Sequence, residues 1–390
     1  MQRDILYFSF IVLFILGCEG KSYLPDKGNC IKINLQRKGK KISAEEIKVL
    51  SFELDSNTLI EEDTYVQYFG LNNQLIVFNK LKRNLKFLPL DSNRSLQKEI
   101  TIPRTLSNVQ AFRYVNDDSI FYYSYSNHKL YLCNTLTIID SITLRPENFL
   151  KDPANTVSMP FIANFSPLIY QEGIIKATGF FNGEDKRILY EGRTVQTCLN
   201  LKNKRPSYGV LYSGTYKEYN WGPSDFRNVY SDYNYEKSLH IISFPADHHI
   251  LTVDNQGKEL IYPAHSISIS CNTPLNVDRS DDIMKDNIEM AKFFSLNLSY
   301  RNIIYDKYRK MYLRFAELPL FKKDLNKYGL GLKPMKVIVL DSSFSYLGEF
   351  DFKKGWSFNN YFVSKAGICF YDALNKNENK ALYEVVKISL

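Results

Sequence analysis

The chain is poor in the residues and spacings that carry chemistry. Its 390 residues hold no Gly-x-Ser-x-Gly elbow, no His-Glu-x-x-His and no Walker loop, so the chemistries built on those spacings have no anchor here. Histidine is scarce, five in all: His128, His240, His248, His249 and His265. Asp247-His248-His249 falls between two strand-like runs, where adjacent side chains point to opposite faces, so the pair does not read as two ligands of one metal. No cysteine pair has zinc-ligand spacing, and Asp278-Arg279-Ser280-Asp281-Asp282 lacks the glycine and the distal glutamate of a calcium loop. Neither a metal nor another cofactor is expected. Glycine (18) and proline (14) show no period, which excludes collagen-like and linker-like chains. No apolar run reaches the roughly 20 residues of a bilayer span. The net charge of +8 is spread along the chain with no nucleic-acid motif, so a nucleic-acid partner is not expected.

What is abundant is apolar and aromatic. Hydrophobic residues make up 44% and aromatic residues 14%, with 28 Tyr and 26 Phe, enough for a large core and suited to pleated strands. The start of the chain reads as an address. Ile5 to Leu16 is an apolar run of 12 residues behind Arg3, the size of a secretory h-region. Ile15-Leu16-Gly17-Cys18 then resembles a bacterial lipobox, in which the cysteine is acylated and becomes the first mature residue. The expectation is a signal peptide over residues 1–17, a tether over 18–28 with lipidated Cys18, and one domain over 29–390. That places the protein in a bacterial cell envelope, anchored by lipid in the outer membrane, with the side of that membrane and the oligomeric state left open. Five further cysteines remain, Cys30, Cys133, Cys198, Cys271 and Cys369, four of them inside strand-like runs. They read as buried thiols with at most one disulfide.

The body repeats. Short apolar runs alternate with Asn, Asp, Gly, Ser and Lys clusters from about Ile31 onward, a strand-and-turn signature. The stretch from Tyr68 to Ile102 matches the stretch from Phe112 to Leu144 at an offset of 44 residues, the length of a four-stranded propeller blade. Four later units follow: Leu168–Leu201 with a turn at Phe181–Asp185, Ser238–Tyr262, Asn302–Phe350 and Tyr361–Ile388. The fold expected is all-β, a six-bladed β-propeller of four-stranded antiparallel blades, with a β-sandwich pair as the rival. Ring closure requires a strand near Cys30–Leu35 or Ile47–Leu54 to complete the C-terminal blade. One short helix is expected over Asp281–Phe294.

The lipobox, the six units, the run from Tyr305 to Phe315 (Tyr-Asp-Lys-Tyr-Arg-Lys-Met-Tyr-Leu-Arg-Phe) and the pair Val337–Asp341 with Leu347-Gly348-Glu349 resemble a group of Bacteroidota lipoproteins of unknown function. Those carry a TolB-like six-bladed β-propeller. The resemblance covers most of the chain after Cys18; it implies the fold and brings no catalytic residue with it.

Two regions offer a ligand surface. Residues 202–236 hold seven of the 28 Tyr, and Tyr216, Tyr219, Trp221 and Arg227 are the candidates there. Flat rings with a polar tip beside basic side chains suit an acidic glycan or a carboxylate, and equally suit packing at a sheet edge. In the Tyr305–Phe315 hairpin, Tyr305, Tyr312 and Arg314 are the candidates. Arg314 either holds an anion in the channel or pairs with Asp306 or Glu317. The expected function is a membrane-anchored, non-catalytic module that binds a glycan, a peptide or an envelope protein. The alternatives are a lyase or hydrolase acting on an acidic glycan, and a structural subunit of an envelope complex.

Overall fold

A computed structural model describes residues 31–32, 39–40, 42–91, 98–146, 157–180, 193–269, 271–276, 285–325, 333–375 and 377–389. The signal peptide, Cys18, the tether, Cys30, the turn at 181–185 and the acidic run at 278–282 lie outside the described residues.

Six four-stranded antiparallel sheets stand as the blades of a propeller. Blade 1 is Val66–Phe69, Gln74–Asn79, Asn84–Pro89 and Glu99–Thr101. Blade 2 is Val109–Asn116, Ser119–Ser124, Lys129–Cys133 and Ile138–Thr143. Blade 3 is Ile169–Gln171, Ile174–Thr178, Thr194–Asn200 and Arg205–Leu211. Blade 4 is Tyr230–Asn234, Leu239–Ser243, His249–Val253 and Glu259–Pro263. Blade 5 is Ser299–Asp306, Met311–Glu317, Met335–Leu340 and Tyr346–Asp351. Blade 6 takes Trp356–Val363, Ile368–Asp372 and Lys380–Ser389 from the C-terminal part and its outer strand, Ser43–Glu53, from the N-terminal part.

That last pairing, from Ser43 opposite Ser389 to Glu53 opposite Lys380, closes the ring. Of the two segments expected to do so, the one at Ile47–Leu54 does. Ile31–Lys32 instead pairs with Cys271–Asn272 in a separate ribbon. Two unit boundaries also differ from the sequence expectation. Blade 3 gains Arg205–Leu211, and blade 4 begins at Tyr230. Tyr-Ser-Asp-Tyr-Asn carries polar residues on a strand that lines the channel, which breaks the apolar alternation that marks an outer strand.

The turns explain why these strands fold back where they do. An Asn or Asp opens most blade hairpins and accepts backbone N–H groups two or more residues on. Asn200 Oδ1 takes Lys202 N at 2.9 Å, Asn234 Oδ1 takes Glu236 N and Lys237 N at 3.0 Å, and Asp341 Oδ1 takes Ser343 N at 2.8 Å. Such Asx turns replace the ladder hydrogen bonds that a reversing chain loses. Apolar faces then meet between blades. Phe87, Phe112, Phe121 and Tyr122 lie at 1% exposure or less in one cluster, and Leu313, Phe315, Val339 and Phe370 do so in another. A single blade exposes both of its faces; stacking against two neighbours buries them.

One α-helix, Asn287–Leu296, sits in the 285–298 connection, shifted from the expected 281–294. Asp286 is its N-cap, accepting Ile288 N at 2.9 Å and Glu289 N at 3.1 Å, so the capping carboxylate rather than the acidic run before it sets the start. Among the described residues no helix is long and apolar enough to cross a membrane. Cys133 and Cys369 are buried free thiols, Cys198 is a half-buried one, and Cys271 is disulfide-bonded.

Candidate functional site

In an up-and-down blade the start of the inner strand and the turn between the second and third strands fall at the same end. At that end, around the axis, lies a cavity of about 630 Å³. Blade 1 contributes Tyr65 and Lys80, blade 2 contributes Asn108, Gln110 and Tyr125, and blade 6 contributes Asn359. The segment before blade 3, Phe161 to Phe165, forms the rest of the wall. The volume falls within the range of small-ligand sites.

That segment is a tight hairpin thrown across the axis. Ala163 N and Ser166 O, and Ser166 N and Ala163 O, bond reciprocally at 3.2 and 3.0 Å, leaving Asn164 and Phe165 at the tip. The stem is held to blade 3 by Phe161 N donating to Thr178 O at 2.9 Å. The close approach requires Gly179, where a Cβ would sit 1.9 Å from Met159 O. From blade 2, the Tyr123 hydroxyl donates to Pro160 O at 2.9 Å.

Asn164 ties the tip to the other blades. Its Oδ1 accepts Val66 N at 2.9 Å, and its Nδ2 donates to Thr64 O at 2.8 Å and Asn359 O at 2.7 Å. The Tyr361 hydroxyl donates to Asn164 O at 3.2 Å, and Ser231 N donates to Phe165 O at 2.9 Å. One two-residue tip thus touches blades 1, 4 and 6 while belonging to blade 3. Beneath it the hydroxyls of Ser166, Thr178 and Ser231 form a buried cluster, with Thr178 and Ser231 3.0 Å apart.

The lining is aromatic and neutral. Phe161 and Phe165 stack at 6.3 Å and 23°, and Tyr125 meets Phe161 edge-on at 6.0 Å, all three half-buried. Tyr65 is buried, and burial pushes its phenol up to about 12, so it stays protonated and accepts Leu168 N at 3.3 Å. The charges in the lining are Lys80 and Asp63, paired at 2.8 Å on the exposed rim, where such a pair contributes under about 1 kcal/mol. Among the described residues no group of three His, Cys, Asp or Glu is arranged to hold a metal. The cavity offers ring faces, amides and hydroxyls, all of them groups that can contact a ligand.

The residues singled out in the sequence lie elsewhere. Tyr216 and Trp221, at 0% and 2% exposure, pack with Phe226, Phe244 and Phe293 between blade 4 and the α-helix. Their polar tips are satisfied by backbone: the Tyr216 hydroxyl donates to Phe226 O at 2.5 Å and accepts Ala246 N at 3.1 Å, and Trp221 Nε1 donates to Thr215 O at 3.0 Å. Tyr219 is 37% exposed, 6.4 Å from Trp221, and Arg227 is half-buried on the short helical turn Ser224–Arg227. Tyr305 and Tyr312 meet at a tilt with centroids 4.9 Å apart, and Tyr312 stacks on Phe344 at 4.3 Å, as packing between blades 4 and 5.

Arg314 pairs with neither Asp306 nor Glu317, which are taken by Arg309 and Arg301. Fully buried, it donates to Ser243 Oγ, Ala264 O, Phe244 O and Asp247 O at 2.7–3.1 Å, over the Tyr300 ring at 3.8 Å. His248 Nδ1 lies 2.8 Å from the Tyr300 hydroxyl. His, Tyr and Arg do converge here, but inside a blade contact, with Tyr300 and Arg314 at 0% exposure. Sequence reasoning passed over the hairpin at Phe161–Phe165. The signal available was Pro160-Phe-Ile-Ala-Asn-Phe-Ser-Pro167, an Asn at a turn between prolines.

A family model described as a domain of unknown function, DUF4221, matches residues 40–351. A crystal structure of a DUF4221 member from Bacteroides vulgatus is similar at TM-score 0.70 and 20% identity, covering 90% of this chain and 99% of that one. A putative exported protein from Bacteroides fragilis aligns at TM-score 0.49 and 11% identity, over 89% of this chain and 96% of that one. Virginiamycin B lyase from Staphylococcus aureus aligns at TM-score 0.41 and 11% identity, over 90% and 100%. No curated protein matches the chain.

Proposed function

The chain belongs to the DUF4221 family, and on that footing we propose that it is a lipid-anchored binding module of the bacterial envelope, whose propeller receives a neutral glycan in the axial cavity. The observation that carries the reading is the half-exposed trio Tyr125, Phe161 and Phe165 in one lining with the exposed amides of Asn108 and Gln110. Sugar rings present apolar faces and hydroxyl edges, which ring stacking and amide hydrogen bonds match together. The rim charges are already paired, so the cavity does not select for ligand charge. A disulfide at Cys271 is in keeping with an oxidising compartment, as export through a lipobox at Cys18 requires.

The test combines place and ligand. Cys18→Ala should move the protein from the membrane fraction to the soluble one or stop its processing. A glycan array probed with the wild type and with Phe165→Ala should show hits that the variant loses at least tenfold. Hits confined to peptides or envelope proteins, or glycan hits indifferent to Phe165, would replace the ligand half of the reading. Membrane association unchanged in Cys18→Ala would remove the anchor.

A further inference from the structure

Away from the cavity, the channel wall carries a guanidinium that makes no ion pair among the described residues. Arg113 stands midway along Val109–Asn116, the inner strand of blade 2, and is half-buried. Its Nε is buried without a hydrogen bond, and among the described residues its guanidinium makes no ion pair. Other arginines of the channel and blade contacts are engaged: Arg314 by three carbonyls and a hydroxyl, Arg301 by Glu317 at 2.6 Å, Arg309 by Asp306 at 2.5 Å. A buried N–H donor left without an acceptor is costly unless something completes it.

The surroundings say what would do so. The Arg113 Cζ lies 5.5 Å from the ring centroid of Tyr235, on the turn after the inner strand of blade 4. Blade 3 lies between, so the side chain reaches across the channel rather than to a neighbour. Tyr235 is 39% exposed and marks the mouth opposite the hairpin-lined cavity. Asp232, on the same inner strand, feels the field of Arg113 but makes no ion pair with it. Its oxygens accept Tyr305 N at 2.6 Å and Tyr233 N at 2.7 Å instead. Burial pushes the Asp232 carboxyl up to about 6, so it is ionised at neutral pH.

We propose that Arg113 anchors an anion site in the propeller channel, and that the site takes the carboxylate of a small ligand entering past Tyr235. The planar fork of a guanidinium matches a carboxylate in two parallel hydrogen bonds. The Tyr235 ring attracts the guanidinium through its π face without using any of its N–H donors. One cation beside an ionised Asp232 favours a monoanion and works against a phosphate dianion. The site is separate from the glycan cavity and does not rest on it.

The experiment is an NMR titration of the full chain with 13C-labelled acetate at pH 7.5, with inorganic phosphate as competitor. Wild-type protein should broaden the acetate line. Arg113→Gln should weaken acetate at least tenfold, Asp232→Asn should tighten it at least threefold, and Phe165→Ala should leave it unchanged. Phosphate should displace acetate only at higher concentration. The proposal is overturned if Arg113→Gln binds acetate like wild type, if phosphate binds more tightly than acetate, or if Asp232→Asn gives no gain. The last criterion holds even where Arg113→Gln fails to fold.

Discussion

Replacing Asn164 by alanine tests whether the hairpin tip holds the ring together or only decorates it. The substitution removes three hydrogen bonds at once and strands Val66 N–H, Thr64 C=O and Asn359 C=O. Val66 and Thr64 are buried, so their groups find no water; Asn359 is half-exposed and can be rehydrated. At about 1–3 kcal/mol for each of the two buried orphaned groups, the loss comes to about 2–6 kcal/mol. With a urea slope of about 3 kcal/mol/M, the midpoint should fall by roughly 0.7–2 M. The two tryptophans, Trp221 beside blade 4 and Trp356 in blade 6, give fluorescence reports from separate parts of the ring. Both should move together, because the tip joins blades 1, 3, 4 and 6. Asn164→Asp keeps the acceptor for Val66 N but sets an anionic oxygen against two carbonyls, and should cost at least as much as alanine at pH 7. A midpoint within 0.2 M of wild type for Asn164→Ala would refute the reasoning, since a shift under about 0.6 kcal/mol is too small for two buried orphans.

Arg314→Met should cost about 3–5 kcal/mol in urea unfolding, because inside the blade contact Ala264 O and Asp247 O lose the guanidinium donor and Phe244 O keeps only Asp247 N at 3.3 Å. Arg314→Lys should recover less than half of that, as an ammonium cannot span acceptors set out for a fork. Lys333 gives a pH signature. Burial holds its ammonium down at about 7, beside Glu317 at 3.8 Å and the Phe294 ring at 4.1 Å. The unfolded chain keeps that proton up to the ordinary lysine range, so between pH 7 and 9 the unfolded state binds more protons and stability rises with pH. The Lys333 contribution should grow by about 1–2 kcal/mol across that window and be flat below it. A slope of urea stability against pH that is the same in Lys333→Met would contradict this.

The fold was legible because its signals are local and repeated. Asn and Asp turns, runs of four to eight apolar residues and one 44-residue offset are enough to specify blades, and the need to close a ring points to Cys30–Leu35 or Ile47–Leu54, of which the structure uses the second. What misled the reading of blade 4 is instructive. Tyr230 to Asn234 is the inner strand of its blade and faces the channel, so Ser231 and Asp232 interrupt the pattern that defines the other strands. Tyr216 and Trp221 were legible as rings that need a polar contact at one end. That the contact is backbone carbonyl rather than ligand depends on where residues 212–229 settle against the α-helix, which no local pattern records.

The same physics separates the rings that pack from the rings that wait. Tyr216 keeps its hydroxyl bonded and loses its whole surface to neighbours, so nothing remains for a partner to gain. Phe161 and Phe165 have no polar tip to satisfy, yet they stay half in water on a hairpin that Asn164, Gly179 and Tyr123 pin across the channel. Each forgoes hydrophobic burial of about 25 cal/mol per Å² of ring left wet. A hairpin held by this many hydrogen bonds is preorganised, so a ligand that covers the rings gains their burial without first ordering the loop. Arg113 follows the same logic in electrostatic form: the fold sets a guanidinium on the channel wall with its Nε unbonded. Both features belong to the inner wall of the ring, whereas the aromatic-rich stretch at 202–236 spends Tyr216 and Trp221 on packing.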